Sequence, residues 1–297
     1  MKYRILYNPL AGEGDFAECV HELELLYGAQ AECYDITKID NYADFFAICE
    51  PDDKIVVSGG DGTLNRFVNS LCGMNVDNEI LYYAQGSGND FMRDVMYDVD
   101  ASKPFPVRKY IENLPIVEIN GKDSRFINGV GYGIDGYCCE VGDKLRAQGK
   151  RVNYTAIAIK GLLFGYKPCG GTITVDGVPH RYEKLWIAPT MNGKYYGGGM
   201  MACPEQNRCS EDGEVSVLAF HDSGKLRTLM IFPSIFKGEH IKSEKHVTVF
   251  KGREVTVEFD EPRALQIDGE TVLGVKSYTV KSRALVSDAA KDKAACL

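Results

Sequence analysis

The sequence has no apolar stretch near the ~20 residues that a membrane-crossing helix needs. Its longest candidates, such as Ile157 to Phe164, are interrupted by Lys160. The opening run Met1-Lys2-Tyr3-Arg4-Ile5-Leu6 enters a strand-like pattern at once, without the zones of a secretory signal. Ten cysteines show neither regular spacing nor a C-x-x-C pair. That points away from a disulfide framework and toward reduced thiols in a cytoplasm. Basic residues are in the minority, 34 against 42 acidic ones, for a formal net charge of -8. Such a balance disfavours nucleic acid as the main partner. Neither Gly-x-x-x-x-Gly-Lys-Ser/Thr nor a Gly-x-Gly-x-x-Gly after the first strand occurs, so the ordinary NTPase and dinucleotide signatures are missing. There is no internal repeat and no low-complexity segment.

What is present is a globular composition, 44% hydrophobic and 26% charged, in 297 residues with 31 glycines. That length allows two domains. Over the first hundred residues strands alternate with helices. Tyr3 to Tyr7, Ala31 to Ile36, Lys54 to Ser58 and Ile80 to Ala84 read as strands. Phe16, Val20, Leu23, Leu26 and Tyr27 make a helical stripe, and Tyr42 to Cys49, Gly62 to Leu71 and a segment from Asn89 read as further helices. This rhythm predicts an α/β domain with a parallel, Rossmann-like sheet over residues 1–113. After Lys103-Pro104-Phe105-Pro106 it gives way to strands: 116–119, 126–130, 172–175, 185–188, 215–220, 246–250, 255–259, 264–267 and 278–286, with a helix over 226–236. Residues 114–286 therefore read as a β-rich domain, a sandwich or barrel. The tail 287–297 contains helix formers and is expected to dock back on the first domain.

Three loops on one edge of the predicted parallel sheet carry the chemistry. Ligands of open α/β sheets sit beyond the carboxyl ends of the strands. After the third strand comes Ser58-Gly59-Gly60-Asp61-Gly62-Thr63-Leu64-Asn65. Gly59, Gly60 and Gly62 let backbone amides approach a polyphosphate, and the following helix offers unpaired N–H groups and positive dipole. Thr63 adds a hydroxyl, and Asp61 is suited to hold a Mg²⁺-bound water. Gly86-Ser87-Gly88-Asn89-Asp90-Phe91 follows the fourth strand, and Asn8-Pro9-Leu10-Ala11-Gly12 the first. A tight turn with Asp61 as helix cap is the plainer alternative.

At these residues the sequence resembles the diacylglycerol kinase catalytic-domain family, which includes soluble bacterial lipid kinases and sphingosine kinases. The resemblance runs on through Asn128-Gly-Val-Gly-Tyr-Gly-Ile-Asp135, Asn192 to Met200 and Asp212-Gly213, and ends at Gln266-Ile267-Asp268-Gly269-Glu270. It implies an ATP-binding α/β domain followed by a β-sandwich-like domain, with the site in the cleft. It implies that Asn8, Pro9, Gly12, Thr37, Gly59, Gly60, Asp61, Gly62, Thr63, Asn65, Gly86, Ser87 and Asn89 line ATP, and that Asp61 and Asp90 hold Mg²⁺ through water. Asp268 would be the general base on the lipid hydroxyl, with Glu270 beside it. Asp212 would bind a structural Mg²⁺ together with the backbone carbonyls of Cys209 and Glu214.

The implied activity is transfer of a phosphoryl group from ATP to the hydroxyl of diacylglycerol, giving phosphatidic acid. Other lipid alcohols, NAD (whose kinase shares Gly-Gly-Asp-Gly-Thr) and a non-catalytic nucleotide- or lipid-binding role are the alternatives. Asp-Gly is also a favoured two-residue hairpin turn, and five such pairs occur, at 61, 135, 176, 212 and 268. On residues alone Asp268 reads first as a turn, and the resemblance makes it the base. The sequence departs from the family at Arg66, commonly Glu, and at Pro115, where many members carry Asp. Such an enzyme would work in the cytoplasm, peripheral to the inner face of the membrane. The cluster Lys144, Arg146, Lys150 and Arg151, followed by Tyr154 and Leu162 to Phe164, is the expected docking face. A homodimer is a further expectation from the family.

Overall fold

The computed structural model describes residues 1–11, 16–86 and 88–288. They form two units that divide between Glu112 and Asn113, each with its own large sheet. In the first unit the strands are β1 (Tyr3–Tyr7), β2 (Ala31–Asp35), β3 (Lys54–Gly59), β4 (Glu79–Ala84) and β5 (Phe105–Pro106). The helices are α1 (Phe16–Tyr27), α2 (Tyr42–Ala47), α3 (Asp61–Ser70), α4 (Asp90–Val95) and α5 (Arg108–Ile111). The sheet runs β2-β1-β3-β4-β5, with the first four strands parallel. Alternation along each strand sends side chains to opposite faces. On one face Leu23 of α1 packs with Ile5, Val56 and Leu81. On the other, Tyr34 meets Phe45 of α2, which connects through Tyr42 to Phe67 of α3, and Tyr82 meets Phe91 of α4. The chain turns from β1 to β2 on one side and from β3 to β4 on the other, so the strand order reverses between β1 and β3.

Strand β5 falls where the sequence rhythm changes and is not among the strands expected from sequence. Phe105–Pro106 pairs antiparallel with Leu81 and Tyr82 of β4. Proline lacks an N–H to donate and is accommodated because this is the edge strand. At the amino edge of the sheet, Arg4 Nε donates to Asp53 Oδ2 at 2.8 Å, and both residues are buried.

The strands of the second unit are β6 (Ile116–Ile119), β7 (Lys122–Arg125), β8 (Gly129–Tyr132), β9 (Cys169–Val175), β10 (Val178–Ile187), β11 (Thr190–Met191), β12 (Tyr195–Tyr196), β13 (Met200–Met201), β14 (Val215–His221), β15 (Val247–Gly252), β16 (Glu254–Ile267) and β17 (Glu270–Lys281). Its helices are α6 (Ile134–Ala147), α7 (Tyr154–Lys160) and α8 (Lys225–Ile231). The large sheet follows β7-β6-β17-β16-β8-β11-β14-β10-β9 and closes on itself, because β9 also pairs β16. The long strand β16 makes this possible. Its first half pairs β9, its second half pairs β8, and its register to β17 shifts between Glu258 and Leu265, around Pro262.

That break explains why 255–259 and 264–267 read as two strands in the sequence. Strand β17 begins at Glu270 rather than Tyr278, since exposed Leu273 and Gly274 hide its pattern, and residues 283–288 are helical rather than extended. The helix expected over 226–236 is α8 followed by a 3₁₀ segment, Phe232–Lys237, opened by Pro233. Of the tail expected to dock on the first unit, residues 289–297 lie outside the described ones.

Candidate active site

In the first unit, the loops after β1, β2, β3 and β4 leave the same carboxyl edge of the parallel sheet. The β1 and β3 loops interlock at the point of strand reversal. Asn8 N donates to Ser58 O at 3.1 Å, and Asn8 Nδ2 donates to Thr63 Oγ1 at 2.7 Å. Asn8 Oδ1 accepts Leu10 N at 2.9 Å, which shapes the turn around Pro9. Gly59 O accepts Gln85 N and the Tyr82 hydroxyl, joining the β3 loop to β4. The two glycine loops then touch. A Cβ on Gly60 would stand 3.2 Å from Gly86 Cα, and one on Gly86 would stand 2.8 Å from Gly60 Cα. A Cβ on Gly59 would meet Thr63 Oγ1 at 2.6 Å. Backbone lies against backbone here, so no larger residue fits without moving a loop.

The charged residues of this cradle have definite tasks. Asp61, in the first turn of α3, accepts Asp90 N at 2.7 Å on Oδ2 and Phe91 N at 3.3 Å on Oδ1. Asn89 has a left-handed backbone (φ 48°), and its Oδ1 accepts Gly86 N at 2.9 Å. Asp90 is buried, and so are Thr63 and Asn65. Asn65 accepts Asn69 Nδ2 through both its carbonyl and its Oδ1. Gly62 lies in the first turn of α3. Thr37 stands at the end of β2, and its N–H and hydroxyl both donate to Asp35 Oδ1. Gly12 and Ser87 lie outside the described residues. Arg66 is exposed on α3.

The second unit builds a separate constellation on the β16–β17 hairpin. Asp268 and Gly269 are its two-residue turn, with φ of 45° and 95° and Ile267 opposite Glu270. Positive φ at both central positions is what a type I′ turn requires, and Asp-Gly supplies it. The Asp268 carboxylate faces the approach to β8. Its Oδ2 accepts Ile127 N at 2.5 Å, and its Oδ1 accepts Asn128 N at 2.8 Å and Gly129 N at 3.0 Å. Gln266 Oε1 accepts Gly269 N at 2.6 Å and braces the turn from behind. Glu270 is exposed at the start of β17. Asp176-Gly177 is a comparable turn, φ 48° and 82°, whose Asp176 carboxylate accepts Arg253 N and Glu254 N.

Beneath Asp268 lies a polar network that the sequence did not reveal. Buried Arg208 donates to Ile127 O at 3.1 Å and to Asn128 Oδ1 at 3.0 Å. Asn192 Nδ2 also donates to Ile127 O, at 2.9 Å. Gln206 donates to Asn192 O and accepts the Ser216 hydroxyl. These groups hold the same peptides that bind Asp268. Nearby, Asp135 in the first turn of α6 is buried, and neither carboxyl oxygen has a hydrogen-bond partner among the described residues. Burial foremost pushes its carboxyl up to about 7. A Cβ on Gly131 would overlap Asp135 Oδ2 at 1.8 Å and Gln266 Nε2 at 2.5 Å, so glycine there makes room for both side chains.

Among the described residues no group of three or more His, Cys, Asp and Glu is placed to hold a metal. Asp212 forms a local turn: its Oδ1 accepts the Ser210 hydroxyl at 2.6 Å and Glu214 N at 3.0 Å. The Ser210 contact foremost, then the Glu214 amide, holds its carboxyl below the usual range. The Glu214 carbonyl accepts Gln206 Nε2. Cys209 is exposed, and its N–H donates to Asn207 Oδ1. At the aligned departure, Pro115 O accepts Phe126 N, while nearby Glu118 pairs with Lys281.

Comparison with known proteins joins the two halves. Residues 2–114 match the family model for the diacylglycerol kinase catalytic domain, and residues 128–285 match that for the YegS C-terminal NAD kinase beta sandwich-like domain. The chain is 25% identical to a diacylglycerol kinase of Mycobacterium tuberculosis over 268 residues, 86% of this chain and 85% of that protein. It is 24% identical to the Bacillus subtilis diacylglycerol kinase over 278 residues, 90% and 89% of the two chains. A diacylglycerol kinase crystal structure from Bacillus anthracis shares the fold, with a TM-score of 0.63 and 20% identity over 95% of this chain and 94% of that one. The chain belongs to the lipid kinase family that joins a diacylglycerol kinase catalytic domain to a YegS-type C-terminal domain.

Proposed function

We propose that this lipid kinase uses ATP to phosphorylate the hydroxyl of diacylglycerol, yielding phosphatidic acid. The observation that carries the nucleotide assignment is the interlocked cradle of Asn8, Gly59, Gly60, Thr63 and Gly86. It leaves no space for a Cβ and puts the start of a ten-residue helix, α3, where phosphates are best received. Asn8 and Thr63 orient the chain around the phosphates, and Gly60 and Gly86 allow the close approach. A carboxylate has about four acceptor positions, and two of those on Asp61 go to the Asp90 and Phe91 amides. The donor set therefore suits a Mg²⁺ held mainly by phosphates and water, with few protein ligands. Bound there, the ion would neutralise charge between the phosphates.

On the second unit, Asp268 accepts the proton of the lipid hydroxyl. An alcohol becomes a useful nucleophile near neutral pH only when a carboxylate within hydrogen-bond reach takes its proton. Three amides fix the orientation of that carboxylate, and orientation is what phosphoryl transfer draws on. The same bonds favour a second reading, a nucleotide- or lipid-binding protein without turnover, because Asp268 and Asp61 both serve the backbone. The deciding experiment presents radiolabelled ATP with diacylglycerol, monoacylglycerol, a sphingoid base, ceramide and NAD, each assayed separately. Labelled phosphatidic acid supports the proposal. Label on another acceptor moves the assignment to that acceptor, and ATP binding with no product supports the second reading.

A further inference from the structure

We infer that the second unit docks on an anionic lipid bilayer through the face made by α7, the turn after it and α8, with Phe164, Leu226 and Met230 as its apolar anchors. The sequence carries five Lys and Arg and no Asp or Glu across residues 152–175 and 223–238, in a chain whose net charge is -8. The structure brings these two segments together. Helix α8 packs on the π-helical turn Gly161–Gly165, and Lys225 Nζ donates to Leu163 O at 3.1 Å. Their inner faces share one core, in which Ile157, Leu162, Ile231 and Phe232 are buried around Trp186.

The outer faces do the opposite of what a soluble surface needs. Phe164 is 79% exposed, Leu226 76% and Met230 66%, with Ile159 about half exposed beside them. Single exposed apolar residues are ordinary, but a group on touching turns marks an interaction surface. The turn that presents Phe164 is fixed from beneath. A Cβ on Gly161 or Gly165 would collide with the Tyr137 ring or hydroxyl, at 2.8 and 2.3 Å. The charges around the anchors choose the partner. Lys160, Lys167, Lys225 and Arg227 are exposed around them, and neither segment holds an acid to cancel them. Apolar tips ringed by long cationic side chains fit the boundary between anionic headgroups and acyl chains.

This keeps Phe164 of the face expected from sequence and draws the charge from residues other than the basic cluster there. Lys144 pairs with Glu140, Arg146 with Asp143 and the Tyr154 hydroxyl, and Lys150 with Gln148. Those side chains are engaged on their own surface, whereas the α7–α8 face offers both anchor and charge.

The inference takes its purpose from the lipid-kinase reading, but the two fail separately. Binding is measured by co-sedimentation with phosphatidylcholine vesicles, with and without phosphatidylserine, in the absence of ATP. Turnover is measured on a short-chain diacylglycerol dispersed without a bilayer. The wild-type protein is expected to pellet with phosphatidylserine vesicles. The triple variant Phe164→Ser, Leu226→Ser, Met230→Ser should lose about tenfold or more in partitioning. Charge reversal at Lys160, Lys167 and Arg227 should lose about fivefold for each residue on phosphatidylserine vesicles, with little change on phosphatidylcholine alone. Both variants should keep the wild-type melting temperature and turnover of the dispersed substrate. Wild-type protein that stays in solution, or a triple variant that pellets like wild type, overturns the inference. So does a triple variant that only converts a dimer to a monomer, which would make this face a contact between copies of the chain.

Discussion

The carboxylate of Asp61 accepts the backbone N–H of Asp90 at 2.7 Å, tying the start of one helix to the start of another across the nucleotide cradle. The link spans the β3 and β4 loops at the place where Gly60 and Gly86 nearly touch. Asp61 is therefore a structural strut before any ion is considered, and the proposed role at the phosphates would depend on that geometry.

Replacing Asp61 with Ala leaves the Asp90 and Phe91 amides without their acceptor. A lost hydrogen bond of this kind costs about 1–3 kcal/mol. Urea denaturation should show a loss in that range, and titration with ATP should show weaker binding. Asp61→Asn keeps one carbonyl acceptor and should fall between the two. An Asp61→Ala variant with wild-type stability and ATP affinity would show that the strut is unimportant.

Arg208 gives a second test. Its guanidinium is buried against Ile127 O and Asn128 Oδ1, the segment whose amides bind Asp268. Removing hydrogen bonds to a charged donor costs about 1.5–3 kcal/mol. Arg208→Met should lower kcat by at least about tenfold through misplacement of Asp268, with the KM for ATP nearly unchanged. Arg208→Lys should recover part of kcat. An equal rise in the KM for ATP would assign Arg208 to the nucleotide half instead.

How much of this was legible in the sequence follows from chain distance. The glycine loops could be read because each sits directly behind an apolar strand, so strand, turn and helix start appear in order within a few residues. The Asp268 turn could be read as a hairpin, since Asp-Gly between strand residues encodes its own backbone geometry. The network below it could not. Arg208, Gln206 and Ser216 reach Asn128 and Asn192 only because β8 pairs β11 and β11 pairs β14, contacts that no local pattern announces. Asp135 stands within a motif, but its burial depends on packing against Gly131 and Gln266, the latter distant in the chain. The pairing of the basic run was hidden for a similar reason: a run of basic residues shows charge, while the acids that pair with Lys144 and Arg146, Glu140 and Asp143, stand one helical turn earlier.

Asp135 predicts a pH dependence. Its carboxyl is pushed up to about 7 by burial, so the folded state holds a proton that the unfolded chain has released above about pH 4. The unfolded state binds fewer protons in this window, so stability falls as pH rises from about 4 toward 7 and then levels off. Asp135→Asn removes the titration. Thermal melts should show the wild type losing stability over that range relative to the variant, with the two curves parallel above it. Curves parallel throughout would mean that Asp135 is charged in the folded protein at all these pH values.

In the proposed reaction Asp268 takes the proton from a lipid hydroxyl while the first unit holds ATP. This role is tested by measuring phosphate transfer from ATP to diacylglycerol in mixed micelles for wild type and Asp268→Asn, with ATP affinity and melting temperature followed in parallel. Labelled phosphatidic acid is expected from the wild type and a fall of about 100-fold or more in the variant, with ATP affinity retained and the fold intact. A variant that transfers phosphate at the wild-type rate would contradict it.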